Sequence, residues 1–219
     1  MNKIWIILLI SGAPALVNGQ SMFDILKLIP QDLLEGIDVD SLIKNKSYYP
    51  PDNTEEEIIK YTIAVENDAI GVLRIEMSFE TGQRAFIIHE LKRIEITDKE
   101  FLVVYSRVSG APIVFAQSEL QTYLFKNGIL TKTKDPLLPL TIGLADFLKR
   151  NTPDSLIQKY SQYSNHCYEL IYEGRNICYV LYENFDLGNL DKSWLLGNKI
   201  EFVFRKRKFK RLLPYFTQE

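Results

Sequence analysis

The sequence predicts an α+β fold, with antiparallel β-sheet and short helices packed on one side, laid out once or as a tandem helix-helix-sheet duplication. Three observations predict it. Between residues 59 and 108, apolar and polar side chains alternate with a period of two, as in half-buried antiparallel strands. A helix start with a capping residue precedes each β-rich stretch. Strand–helix–strand rhythm and a glycine-rich phosphate loop are both missing, which argues against a doubly wound nucleotide-binding fold.

Composition bounds the function classes. The chain of 219 residues is 46% hydrophobic and 25% charged, so it holds enough apolar material for one sizeable core or two small ones and is too apolar for wholesale disorder. A formal charge of −2 argues against a dedicated nucleic-acid binder. Two Cys and two His leave little material for a metal site, and no cofactor is expected.

The N-terminus predicts export. Asn2 and Lys3 precede an unbroken apolar run over residues 4–10 (IWIILLI), then small and turn-prone residues, then Val17-Asn18-Gly19. That layout is a secretory signal peptide over residues 1–19, with Gln20 as the mature N-terminus and a periplasmic or secreted destination. A membrane anchor is the competing reading. Spanning needs about 20 predominantly apolar residues, and here the run decays into Ser11, Gly12, Pro14, Asn18 and Gly19. No transmembrane span is expected in the mature chain, and no Cys near the cleavage point suggests lipid anchoring.

Next come the helical segments. Residues 32–43 (DLLEGIDVDSLI) and 146–157 (DFLKRNTPDSLI) align without a gap, and Ser47/Ser161 and Tyr49/Tyr163 extend the match. A duplication or chance accounts for it. Thr152 followed by Pro153 predicts a helix N-cap with Pro at the first helical position. Asp38 is the equivalent cap in the first copy, and Asp40 and Asp154 fall in the first turns, where a carboxylate complements the helix dipole.

Strands follow each helix. Ile59, Tyr61, Ile63 and Val65 alternate with polar neighbours, Asn67-Asp68 turns the chain, and Leu73, Ile75, Met77 and Phe79 alternate again. Residues 85–96 and 101–108 continue the meander across Thr97-Asp98-Lys99, and residues 112–116 fit a further short strand. Residues 118–125, ended by Lys126-Asn127-Gly128, fit helix or strand equally. Pro136 and Pro139 mark a boundary between a helix-plus-β-meander half (20–135) and a helix-plus-β-hairpin half (136–219), unless the two form one continuous domain. In the second half, residues 168–172 and 177–182 flank Glu173-Gly174-Arg175-Asn176, a hairpin signal, and residues 199–205 place Ile200, Phe202 and Phe204 on one face.

Catalytic constellations are weak. A two-residue hairpin loop puts Cys178 opposite Ile171 and Cys167 opposite Tyr182, about 13 Å apart along one face. A disulfide needs Cα atoms within about 7 Å, so two buried thiols are the favoured reading, with a disulfide if the loop differs. His166 and Cys167 are adjacent in a strand and point to opposite faces. A Cys–His dyad therefore requires His89 to meet Cys167 or Cys178 in the fold. His89 has Ile87 and Leu91 as same-face neighbours and reads as a core or half-buried histidine. Glu55-Glu56-Glu57 reads as a solvated strand start, and Asp32, Asp40, Asp146 and Asp154 are explained by helix starts.

Two features stand out as a candidate interaction surface. Six of the seven residues from 205 to 211 are basic: Arg205, Lys206, Arg207, Lys208, Lys210 and Arg211. Such a stripe suits an anionic lipid, an acidic glycan or an acidic protein of the envelope or the secreted pool, whereas nucleic acid fits poorly. An edge strand guarded by Lys and Arg is the plainer explanation. Second, Tyr168, Tyr172 and Tyr179 share one hairpin with Tyr182, after Tyr160 and Tyr163. A hairpin apolar on both faces is either sandwiched between layers or leaves an aromatic surface for a partner.

Residues 22–45 (MFDILKLIPQDLLEGIDVDSLIKN), following Asn18-Gly19-Gln20, resemble the start of a group of uncharacterised exported proteins from Bacteroidota-type bacteria. That group has no established activity, so the resemblance implies export and no residue roles. Asp40-Ser41-Leu42 and Asp154-Ser155-Leu156 resemble the Asp-Ser/Thr-aliphatic sites of O-glycosylation in such bacteria, at positions that capping also explains. Paired helices followed by antiparallel sheet, in tandem, are similar in architecture to β-lactamase-inhibitor-type proteins, a likeness of fold alone. The sequence therefore predicts an exported non-catalytic binding or envelope-assembly protein. The alternative is an exported hydrolase whose carboxylates or Cys–His pair meet only in the fold.

Overall fold

A computed structural model describes residues 20–82, 85–111, 114–134, 137–139, 142–161, 168–181 and 192–216. The chain enters through α1 (Met22–Leu26), which a reciprocal capping box starts. The Ser21 hydroxyl accepts from the Asp24 amide, and the Asp24 carboxylate accepts from the Ser21 amide, both at 3.1 Å. A 3-10 turn at Gln31–Leu33 leads to α2 (Val39–Asn45), capped by Asp38, whose carboxylate accepts from the Ser41 amide at 3.1 Å.

Seven antiparallel strands then follow in sequence order as one meandering sheet: β1 (Ser47–Tyr48), β2 (Ile59–Asn67), β3 (Val72–Phe79), β4 (Phe86–Thr97), β5 (Glu100–Ala111), β6 (Val114–Lys126) and β7 (Ile129–Lys132). The ambiguous segment 118–125 is strand, part of β6, which pairs with β5 along its length. A second 3-10 turn (Leu144–Phe147) and α3 (Asp154–Ser161) lead to a four-stranded antiparallel sheet. It comprises β8 (Tyr168–Glu173), β9 (Asn176–Leu181), β10 (Lys199–Arg205) and β11 (Lys208–Arg211), in the order β11-β10-β9-β8. The architecture is α+β, dominated by antiparallel sheet with few short helices.

Period two decides which side of the large sheet each residue serves. Tyr61, Leu73, Ile75, Leu91, Val103, Tyr105 and Tyr123 pack against Met22, Ile25, Leu34, Ile37 and Leu42 from the helical segments. On the opposite face, Ile94, Leu102, Val104 and Leu120 join Leu170, Ile177, Tyr179, Ile200, Phe202 and Phe204 from the small sheet in a second cluster. The central strands are therefore covered on both faces, and Leu102, Val103, Val104 and Tyr105 are all buried, where alternation alone predicts half-burial.

The two 3-10-then-helix segments occur in the same order, but their caps differ. In α3 the Pro153 carbonyl accepts from the Ile157 amide, so Pro153 stands where Asp38 stands in α2. Thr152 is not the cap expected of it. Its hydroxyl donates to the Lys149 carbonyl at 2.7 Å.

After β11 the backbone returns over β10. Tyr215 exchanges backbone hydrogen bonds with Lys199 at 3.0 and 3.1 Å. A Cβ at Gly197 would lie 2.2 Å from the Tyr215 backbone, so no side chain fits at this crossing.

Candidate interaction surface

The basic stripe is a hairpin. Arg205 pairs with Lys208, Phe204 with Phe209 and Phe202 with Arg211, leaving Lys206 and Arg207 as a two-residue turn. Both turn residues have positive φ, 49° and 63°, the conformation that suits the right-handed twist of a tight hairpin and that usually selects Asn or Gly.

Pairing sorts the stripe into two faces. Phe209 lies beside Phe204, ring centroids 5.0 Å apart, and packs against the inter-sheet core. Arg207 donates to the buried Glu100 carboxylate of the large sheet. Arg211 reaches the Asp146 carboxylate at 2.8 Å. These pairs pin the hairpin to the rest of the molecule. Arg205, Lys206, Lys208 and Lys210 are exposed and, among the described residues, form no ion pair. Beyond them Leu213 is 79% exposed and Phe216 52% exposed.

The tyrosines do not share this surface. The hairpin register is the expected one, with Glu173 opposite Asn176, Cys178 opposite Ile171 and Leu170 opposite Tyr179. Its Tyr-bearing face, however, lies against the large sheet. Tyr179 is fully buried, its ring 5.2 Å from that of Phe202 and its hydroxyl donating to the Pro139 carbonyl at 2.8 Å. Tyr172 packs on the same core with its hydroxyl 3.3 Å from that of Ser106, and burial pushes its pKa upward. Tyr179 is thus an interior residue and leaves the candidate surface, while Tyr172 is partly buried against the same core. The backbone of Tyr168 pairs with Leu181 at the edge of the small sheet. Tyr163, Cys167, His166 and Tyr182 lie outside the described residues.

The other face of the small sheet holds a polar cluster. Donor atoms of Glu173, Cys178 and Glu201 lie within 4.8 Å of one another, the one such metal-competent group among the described residues. A cation already stands there: Lys199 Nζ is 2.6 Å from Glu173. Asn176 donates to Glu201 at 2.6 Å, and the Tyr215 hydroxyl is 3.3 Å from the same carboxylate. Cys178 is a free, buried thiol whose pKa burial pushes up to about 12, so it sits as the neutral thiol.

His89 belongs to the helix-facing side of the large sheet and is 2% exposed. Its register neighbours are Ile75 and Arg107. The Tyr105 hydroxyl donates to the Leu33 carbonyl at 2.7 Å and lies 2.9 Å from His89 Nδ1. With its one hydrogen committed, that hydroxyl accepts, so Nδ1 carries the imidazole proton. Burial, helped by the Arg107 charge, lowers the His89 pKa to about 4. Cys178 is on the far side of the small sheet, so His89–Cys178, one of the pairs that the hydrolase alternative offers beside His89–Cys167 and facing carboxylates, does not form.

No family model, no curated protein and no solved structure matches the chain.

Proposed function

We propose that the protein is an exported, non-catalytic binding protein that docks on an acidic envelope or secreted macromolecule through the outward face of the β10–β11 hairpin. The division of charge in that hairpin carries this reading. Arg207 and Arg211 are engaged by Glu100 and Asp146, while Arg205, Lys206, Lys208 and Lys210 are exposed without an ion pair among the described residues. Cations on a pinned hairpin lose little freedom when an anionic partner binds them. Screening weakens such contacts, so docking is salt-dependent.

The test is fractionation of the producing cell with and without a high-salt wash. Native protein is compared with a variant in which Arg205, Lys206, Lys208 and Lys210 become Ser. Salt-releasable association with the envelope that vanishes in the variant supports docking. Salt-indifferent behaviour of both proteins returns the stripe to edge protection.

A further inference from the structure

A second feature lies away from the hairpin, at the seam between the two sheets. A cavity of about 320 Å³ opens between the turn after β2, the C-terminal part of β4 and the β8–β9 hairpin, lined by Ile70, Lys92, Ile94, Tyr172 and Arg175 among others. Lys92 is 2% exposed, and among the described residues the one acceptor that its ammonium reaches is the Ile70 carbonyl, at 2.5 Å. An ammonium has three N–H donors, and burying its charge without a counter-charge is unfavourable. Lys199, the other buried lysine among the described residues, shows the usual remedy in its ion pair with Glu173 at 2.6 Å. Lys92 makes no ion pair among the described residues: the Glu90 carboxylate, whose charge favours its ammonium, is engaged by Arg74 at 3.1 Å. Glu95 also lines the cavity, but its carboxylate is 77% exposed and turned toward Arg93, 3.9 Å away.

The surroundings look built to hold the lysine there. Gly71 has φ +65°, and a Cβ on it would come within 2.9 Å of the Arg93 side chain. Glycine lets the turn lie flat on β4, which brings the Ile70 carbonyl to Lys92. Arg175, in the β8–β9 turn, also lines the cavity, with its guanidinium 5.4 Å from the centre of the Phe204 ring. Ile70, Ile94 and Tyr172, whose hydroxyl is turned to Ser106, give the remaining wall an apolar character.

We propose that this cavity binds a small organic carboxylate, whose charge Lys92 and Arg175 hold and whose apolar body lies against Ile70, Ile94 and Tyr172. Its size suits a compact ligand. Burial and the neighbouring Arg93 lower the Lys92 pKa, and a bound anion would favour the charged lysine again.

The probes are sodium benzoate and sodium phosphate, each against sodium chloride at equal ionic strength. The readouts are the thermal midpoint and amide NMR shifts. Native protein is compared with Lys92→Met and Arg175→Gln. The expected result is a saturable benzoate response in the native protein, about tenfold weaker in Arg175→Gln and lost in Lys92→Met. Methionine fills a similar volume without a charge to bury, so Lys92→Met without benzoate is expected to be as stable as native or more so. A benzoate response equal in native and Lys92→Met overturns the site. So does a Lys92→Met protein less stable than native when neither responds, since the lysine is then a structural donor to Ile70. Phosphate displacing benzoate at lower concentration overturns the apolar-body assignment.

Discussion

Arg207 donates across the sheet interface to Glu100, a residue 107 positions earlier, and so ties the turn of the last hairpin to the start of β5. Glu100 is 4% exposed, and its second oxygen, Oε1, has no hydrogen-bond partner among the described residues. The pair also accounts for an arginine at a positive-φ turn position. A glycine there would relax the backbone and leave a buried carboxylate alone. Arg207→Ala is therefore expected to destabilise by about 2 kcal/mol, and adding Glu100→Gln to recover much of the loss. Urea unfolding of the two single variants and the double variant measures the coupling. Additive losses would show that the pair contributes nothing.

His89 should make the fold acid-sensitive above the range of ordinary carboxylates. Its pKa is about 4 in the fold against 6.5 for an unperturbed histidine, so between these values the unfolded chain binds the extra proton. Stability conferred by the neutral imidazole is complete above pH 6.5 and is lost as pH falls toward 4. The difference corresponds to roughly 3 kcal/mol over that window. Thermal midpoints of native and His89→Gln protein from pH 7 to 4.5 should converge at the acid end. Parallel curves would show that another group sets the acid limit.

Tyr179 separates an interior role from a surface role. Its ring fills the inter-sheet core and its hydroxyl holds the Pro139 carbonyl. Tyr179→Phe should cost about 1 kcal/mol for the hydrogen bond, and Tyr179→Ala about 3 to 5 kcal/mol with the cavity added. A Tyr179→Ala protein as stable as native in urea would place that ring at the surface after all.

Period and turn chemistry were legible in the sequence wherever one residue decides its own side of a strand. Cys178 sits opposite Ile171 because Gly174-Arg175 is a two-residue turn, and His89 is buried because Ile87 and Leu91 share its face. What covers a face was not legible. The alternation of Tyr172 and Tyr179 defines a common side but carries no mark of the large sheet packed against it, so a side turned to the core reads equally as a surface. The run Leu102-Val103-Val104-Tyr105, apolar at every position, was the available sign that the sheet is covered twice. Lys92 left no sign at all. A lysine in an alternating strand reads as solvent-facing, and its burial depends on a hairpin some 80 residues further along the chain.

Capping tests whether the two helix starts are equivalent. Asp38 accepts from the Ser41 amide at 3.1 Å and from its hydroxyl at 2.8 Å, and these bonds hold its carboxyl below the usual range. Asp38→Ala should therefore lower stability at neutral pH, and by more than removal of the Thr152 hydroxyl does. The loss should shrink in acid: the Asp38 pKa is depressed in the fold, so its contribution is present above the unfolded value and fades as pH falls through the folded one. Thr152 caps nothing, since its hydroxyl donates backward to the Lys149 carbonyl and Pro153 opens the helix. Thr152→Val keeps the buried shape, and the Lys149 carbonyl keeps the backbone amide of residue 152 as its donor at 3.0 Å. It should cost well under about 1 kcal/mol. Equal losses for the two variants in urea unfolding would restore Thr152 as the counterpart of Asp38. The expected inequality leaves the two segments alike in order, a 3-10 turn and then a helix, but different in how the helix begins.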